Sequence, residues 1–114
     1  SEERYRRIID TAYEGIWLLN VNLQTEYANQ KLAEMLGYDV EEIRDRSFYD
    51  FIDRALQTDV EIVAQRWQQG LKEQFDSCFR CRDGSQIWVI VSSAPILTLS
   101  GKFNGVLAML TDIT

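Results

Sequence analysis

The chain has 114 residues, 46% of them hydrophobic and 26% charged, a size and composition that fit one globular domain around one core. Its formal net charge of −6 and its scattered basic residues work against binding a phosphate backbone, so nucleic acid is not expected as a partner. Histidine is absent, which removes histidine-ligated haem, histidine-based zinc sites, and Ser-His-Asp or Cys-His catalysis from this segment.

No apolar run approaches the roughly 20 residues that span a bilayer, so no direct membrane insertion is expected. The first ten residues are polar and charged and carry no signal-peptide pattern. They are expected to belong to a cytoplasmic protein, as a piece of a longer chain or as its own start.

From Glu2 to Ala12, apolar residues recur at Tyr5, Ile8, Ile9 and Ala12, which predicts a short helix with one apolar stripe. Ile16 to Leu19 and Thr25 to Ala28 predict two strands joined by a turn at Asn20 to Gln24. Asn29 is placed to cap a helix carrying Leu32, Ala33 and Leu36, and Gly37 to end it. Asp39 with Glu42 has the spacing of a capping box, and Ser47 can cap a turn holding Phe48, Phe51 and Ile52. Val60, Val63, Ala64, Trp67 and Leu71 mark the buried face of a longer helix, about Asp59 to Gln69, closed by Gly70.

Three strands follow, about Glu73 to Arg82, Gln86 to Leu97 and Phe103 to Asp112, with Asp83-Gly84 and Ser100-Gly101 in the turns. Helices inserted into a run of antiparallel strands predict an α+β domain with helices packed on one sheet face. The strands "WVIV" and "VLAML" are apolar at both parities, so both sheet faces need cover. The mid-chain helices cover one face. The N-terminal helix or a second copy of the chain covers the other, and both arrangements stay open.

Cys78 and Cys81 form a C-x-x-C pair. On a strand, residues three apart point to opposite faces with Cα atoms roughly 10 Å apart, beyond the reach of a disulfide or of one shared zinc ion. The pair is therefore read as two independent thiols, and no metal ligands are assigned. Alternation groups Cys81 with Phe75 and Phe79, making Cys81 the packed cysteine and Cys78 the exposed one. Counting outward from a two-residue Asp83-Gly84 turn puts Phe79 opposite Trp88 and Cys81 opposite Gln86.

In order and spacing, "EGIWLLN", "YANQKLAEMLGY", "RDGSQIWV" and "GVLAMLTDIT" resemble the PAS domain family, the sensory module of many bacterial signalling proteins. The resemblance covers nearly the whole chain. One departure is Asn20-Val21-Asn22-Leu23, where the family has a D-x-D-G-type turn. The resemblance implies a five-stranded antiparallel sheet with short helices on one face, an N-terminal flanking helix over residues 1–13 and a core over 14–114.

It also implies a non-catalytic sensory or regulatory segment that binds a small ligand or mediates dimerisation. Such a segment relays to an output domain in the same polypeptide, foremost a histidine kinase of a two-component phosphorelay. A cyclic-di-nucleotide cyclase or phosphodiesterase, a transcription regulator, or a small carboxylate-based enzyme are the alternatives. The homodimer would form through the N-terminal helix and the outer sheet face. If there is a pocket, Met35, Phe51, Leu56, Val63, Trp67, Phe79 and Trp88 are expected to line it, although each also has a plain place in a core.

Asp112 and Thr114 match the terminal motif that in the family couples the last strand to the outgoing helix. The segment "RDRSFYDFI" lacks the cysteine of flavin photosensors, and without histidine the common haem ligand is missing. No cofactor is assigned, and non-covalent flavin or another small organic ligand stays open.

Overall fold

A computed structural model describes residues 2–114; Ser1, the first residue of the flanking segment, lies outside them. The chain runs through helix α1 (Glu2–Asp10), strands β1 (Gly15–Leu19) and β2 (Thr25–Ala28), and helices α2 (Gln30–Leu36) and α3 (Val40–Ile43). Two 3-10 turns (Phe48–Phe51 and Arg54–Leu56) lead into α4 (Gln57–Gln68). Strands β3 (Glu73–Arg80), β4 (Gln86–Leu97) and β5 (Phe103–Asp112) complete it. The strands make one antiparallel sheet in the order β2-β1-β5-β4-β3, the α+β architecture expected from the sequence. Among the described residues no helix is long and apolar enough to cross a membrane.

The caps act as their residue types dictate. Asn29 accepts the Leu32 N–H, and Gly37 leaves α2 at φ 77° in the left-handed region. Asp39 and Glu42 form the reciprocal capping box of α3, and Ser47 caps the first 3-10 turn. α4 begins two residues earlier than the apolar spacing indicated, because the second 3-10 turn feeds directly into it. Leu71, counted on its buried face, lies past the helix end and is exposed.

One sheet face carries the core. Trp17 and Leu19 of β1, Val89 and Val91 of β4, and Val106, Ala108 and Leu110 of β5 are buried there against Leu32, Leu36, Ile43, Phe48, Phe51, Val60 and Trp67. Both sheet edges are partly blunted. Thr25 exchanges backbone bonds with Arg46 and Asp45, and Asp53 donates to the Cys78 carbonyl. Gly105, at φ 120°, sits where a Cβ would meet the Leu19 carbonyl oxygen at 2.4 Å, so a side chain there would separate β5 from β1.

The β3–β4 hairpin corrects the sequence register. Its loop is Arg82-Asp83-Gly84, three residues long, with Gly84 at φ 87° and Gly84 N–H bonded to the Cys81 carbonyl. That is a turn followed by a left-handed residue, which shifts the pairing by one position from a two-residue turn. Phe79 therefore pairs with Ile87, Cys78 with Trp88, and Arg80 with Gln86. Asp83 fixes the loop by accepting from the Ser85 N–H at 2.9 Å and from the Ser85 hydroxyl, bonds that hold its carboxyl below the usual carboxylate range.

The β1–β2 turn departs from the family pattern in a legible way. Asn20 Oδ1 accepts the N–H groups of Asn22 and Gln24, and Leu23 takes the left-handed position at φ 61° where glycine would be free of strain. The leucine side chain is buried, so core packing offsets a conformational cost of about 1–2 kcal/mol.

Candidate functional site

The interior between helices and sheet is an aromatic cluster. Trp17 lies at its centre, with ring centroids 5.2 Å from Phe48, 5.5 Å from Phe51 and 5.9 Å from Phe79. Phe48 reaches Trp67 at 5.9 Å and Phe79 at 5.8 Å, mostly edge-on. Of the residues expected to line a pocket, Phe51, Trp67 and Phe79 meet here and are essentially fully buried. Leu56 and Val63 pack against the cluster at its margin. Met35 does too, and it also borders a surface cleft of about 560 Å³ shared with Cys81, Arg82 and Ser85. Trp88 is not among them: the one-residue register shift puts it on the other sheet face, 47% exposed. Trp17 and Phe48 were missed as interior-lining residues, although the apolar run around Trp17 and the capping Ser47 were visible.

Each buried indole N–H is matched to a hydroxyl that passes the bond on to a backbone carbonyl. Trp17 Nε1 donates to Thr25 Oγ1 at 2.8 Å, which donates to the Arg46 carbonyl. Trp67 Nε1 donates to Ser93 Oγ at 2.8 Å, which donates to the Glu73 carbonyl at 2.7 Å. These relays fix both rings and satisfy donors that would be costly if left bare. Among the described residues the exception is Ser77, whose buried hydroxyl on the inner face of β3 has no hydrogen-bond partner. Nothing in the sequence marked it beyond its place between Phe75 and Phe79.

The two cysteines do lie on opposite sides. Cys78 faces outward opposite Trp88, while Cys81, just beyond β3, sends its thiol toward the Met35 carbonyl at 3.4 Å on the helix side. Both are free. Their relative burial reverses the expectation: Cys78 is buried and Cys81 only half-buried. Cys81 has left the strand for the hairpin loop, while Cys78 lies within β3, opposite Trp88 in register and bonded through its carbonyl to the Asp53 N–H. Burial, then the nearby Asp53 and Cys81, push the Cys78 thiol above its ordinary range.

The outer face is apolar and incompletely covered. Trp88, Leu107 and Met109 are exposed on it, and Ile16, Leu18 and Ile90 are half-buried. α1 lies over the β1–β2 side, where Tyr5 and Ile9 form a groove of about 290 Å³ with Ile16, Leu18, Tyr27 and Leu107. The helix leaves Tyr5 and Ile8 largely exposed.

The chain exit is stapled to the start of β4. Ile113 N–H donates to the Trp88 carbonyl at 3.0 Å, and Trp88 N–H donates to Thr114 Oγ1 at 3.2 Å. Asp112 Oδ1 accepts the Thr114 N–H at 2.9 Å, which lowers the Asp112 carboxyl from its ordinary value, with Lys31 adding a smaller effect. Asp112 and Thr114 are thus joined to each other and to Trp88.

Comparison with known proteins accords with this architecture. A search of curated proteins returns no match. The chain is similar to a PAS domain of a Colwellia psychrerythraea protein, with TM-score 0.88 and 17% identity over 99% of this chain and 97% of that one. It is also similar to the PAS domain of an HTR-like protein from Haloarcula marismortui, with TM-score 0.80 and 24% identity over 98% and 91%. A third likeness is to a domain of a sensory box sensor histidine kinase/response regulator from Geobacter sulfurreducens, with TM-score 0.79 and 19% identity over 97% and 93%. A family profile described as a PAS domain matches residues 14–114, and the chain belongs to that family.

Proposed function

We propose that this domain is a non-catalytic regulatory module that pairs with a second copy through α1 and the outer sheet face and relays to an output domain in the same polypeptide. The carrying observation is the outer face itself. Trp88, Leu107 and Met109 stand exposed on neighbouring strands while the α1 groove takes in β1, β2 and Leu107 of β5. An apolar patch of this kind on a soluble domain is an interaction surface, and the exposed Tyr5 and Ile8 extend it. The output we favour is a histidine kinase, in keeping with the Geobacter sulfurreducens relative, with the domain on the cytoplasmic side. Asp112 and Thr114 stand where a signal would leave the last strand.

Sedimentation of the purified chain tests the pairing. A dimer that a Leu107→Arg substitution converts to monomer, with unchanged far-UV circular dichroism, supports it. A wild type that stays monomeric at about 100 μM, a concentration well above the dissociation constant of a micromolar association, removes it. A second reading, an interior small-molecule ligand, is favoured by the unpaired Ser77 hydroxyl, because a buried polar group without a partner is where a ligand's polar atom would bind. An absorbance spectrum and native mass of freshly purified protein test that reading. Absorbance above the aromatic band or an added mass supports it, and neither appearing rejects it.

A further inference from the structure

The two hairpin loops that flank β4 are built alike but carry opposite chemistry. In the β3–β4 loop, Gly84 N–H donates to the Cys81 carbonyl at 3.0 Å, and the loop residues are Arg82, Asp83 and Gly84. In the β4–β5 loop, Gly101 N–H donates to the Thr98 carbonyl at 2.9 Å, with Leu99, Ser100 and Gly101 in the corresponding places. Gly84 at φ 87° and Gly101 at φ 85° both take the left-handed position. Leu99 therefore stands where the other loop has Arg82. It is fully exposed, so it buries no apolar surface and adds nothing to the hydrophobic stability of the fold.

The loop holds this leucine out. Thr98 N–H donates to the Lys102 carbonyl at 2.8 Å, and Lys102 N–H donates to the Thr98 hydroxyl at 3.1 Å. The Thr98 and Ser100 hydroxyls lie 3.0 Å apart.

Strand pairing gathers three segments at the same end of the sheet. Leu97 pairs with Phe103 at the β4–β5 loop, and Leu19 pairs with Val106 just before the β1–β2 turn. The α4–β3 connection joins them, since a Cβ on Gly70 would lie 3.7 Å from Leu97 Cδ1. Residues 20–24, 69–72 and 97–104 thus form this end. Val21, Leu71 and Leu97 are each exposed by nearly half there, besides Leu99. The same segments carry Lys72 and Lys102, two of the chain's three lysines, both exposed, and no acidic residue. Glu73, which adjoins Lys72, is ion-paired with Arg66 at 3.2 Å. None of these residues belongs to the outer-face patch of Trp88, Leu107 and Met109.

We propose that this end of the sheet docks on a membrane surface bearing anionic headgroups. Leu99 enters the headgroup boundary, and Lys72 and Lys102 meet the anionic groups beside it. An apolar tip flanked by lysines, with no carboxylate in its segments, is complementary to that surface. A second copy fits less well, because tip-to-tip pairing would bring the lysines of both copies together without a carboxylate. The net charge of −6 does not oppose the contact. Charges are screened over about 8–10 Å at physiological salt. The domain measures 42 × 37 × 23 Å, so a surface touching one end is screened from carboxylates at the other.

Co-sedimentation of the chain with vesicles tests the docking. The vesicles are phosphatidylcholine alone or with about 30% phosphatidylglycerol, the second supplying the negative surface potential. The wild type should bind the anionic vesicles about tenfold or more better than the neutral ones. Leu99→Ser removes nothing that the fold uses and should weaken that binding about tenfold. Lys72→Gln and Lys102→Gln should each weaken it about fivefold. Ile62→Ser, at a position of α4 exposed to the same degree as Leu71 but outside the three segments, should change it by less than about twofold. No binding of the wild type at about 5 mM anionic lipid, equal binding to neutral vesicles, or binding unchanged by Leu99→Ser overturns the proposal. Loss of self-association in the serine variant without vesicle binding by the wild type also overturns it, and would make the tip a contact between copies.

Discussion

Cys78 stands directly opposite Trp88 on the outer sheet face and is buried there, while Trp88 itself is exposed. Cys81, in the hairpin loop, is only half-buried. With a thiol-reactive dye at pH 8, Cys81 should label first. Cys78 should be slower on two counts, since it is enclosed and its raised pKa lowers the thiolate fraction. Trp88→Ala should bring Cys78 labelling to within a few-fold of Cys81. If Cys78 labels first in the wild type, the assignment of the two environments is wrong.

Ser93 is the partner of the buried Trp67 N–H and passes the bond to Glu73. Ser93→Ala leaves the indole N–H bare, and equilibrium urea unfolding should show a loss of about 1–3 kcal/mol. A change below about 0.5 kcal/mol would mean that water replaces the hydroxyl.

Ser77 presents the opposite case. Its buried hydroxyl has no partner, so Ser77→Ala removes a desolvated polar group without orphaning another. The ligand-free protein should be unchanged or more stable by up to about 1 kcal/mol. A loss above about 1 kcal/mol would show that the hydroxyl is bonded in solution.

Gly105→Ala adds a Cβ that meets the Leu19 carbonyl oxygen and strains a φ of 120°. Thermal unfolding should show a loss of more than about 2 kcal/mol. Gly84→Ala strains φ alone, with nothing within 4 Å of the added Cβ, and should cost less. Equal losses at the two glycines would contradict the close approach of β5 to β1.

The Asp112–Thr114 turn carries a pH dependence with a defined sign. The carboxyl is lowered in the folded state, first by the Thr114 N–H. Its contribution is therefore complete above the ordinary aspartate value of about 3.9 and is lost as the pH falls through the lower folded value. The Thr114 amide resonance should titrate with a midpoint below about 3.9. A midpoint at or above that value would show that the turn does not persist in solution.

Much of the fold was legible because local chemistry and tertiary structure agree. Asn29, Gly37, Asp39, Glu42 and Ser47 cap where their chemistry requires, and the apolar runs bounded by Asp83-Gly84 and Ser100-Gly101 outlined β4 and β5. The ordered motifs from "EGIWLLN" to "GVLAMLTDIT" carry the resemblance to the family that the profile over residues 14–114 shows. What the chain could not announce was register. Arg82-Asp83-Gly84 forms a three-residue loop because Gly84 takes the left-handed position after the turn, and Asp-Gly in a sequence is equally compatible with a two-residue turn. That single residue moved Trp88 from the interior to the outer face and reversed which cysteine is buried. Long-range polar bonding was equally hidden. The cap role of Asn29 is local and readable, but its bonds to Ile9 and Glu14, like the missing partner of Ser77, depend on which backbone groups the folded chain brings within about 3 Å.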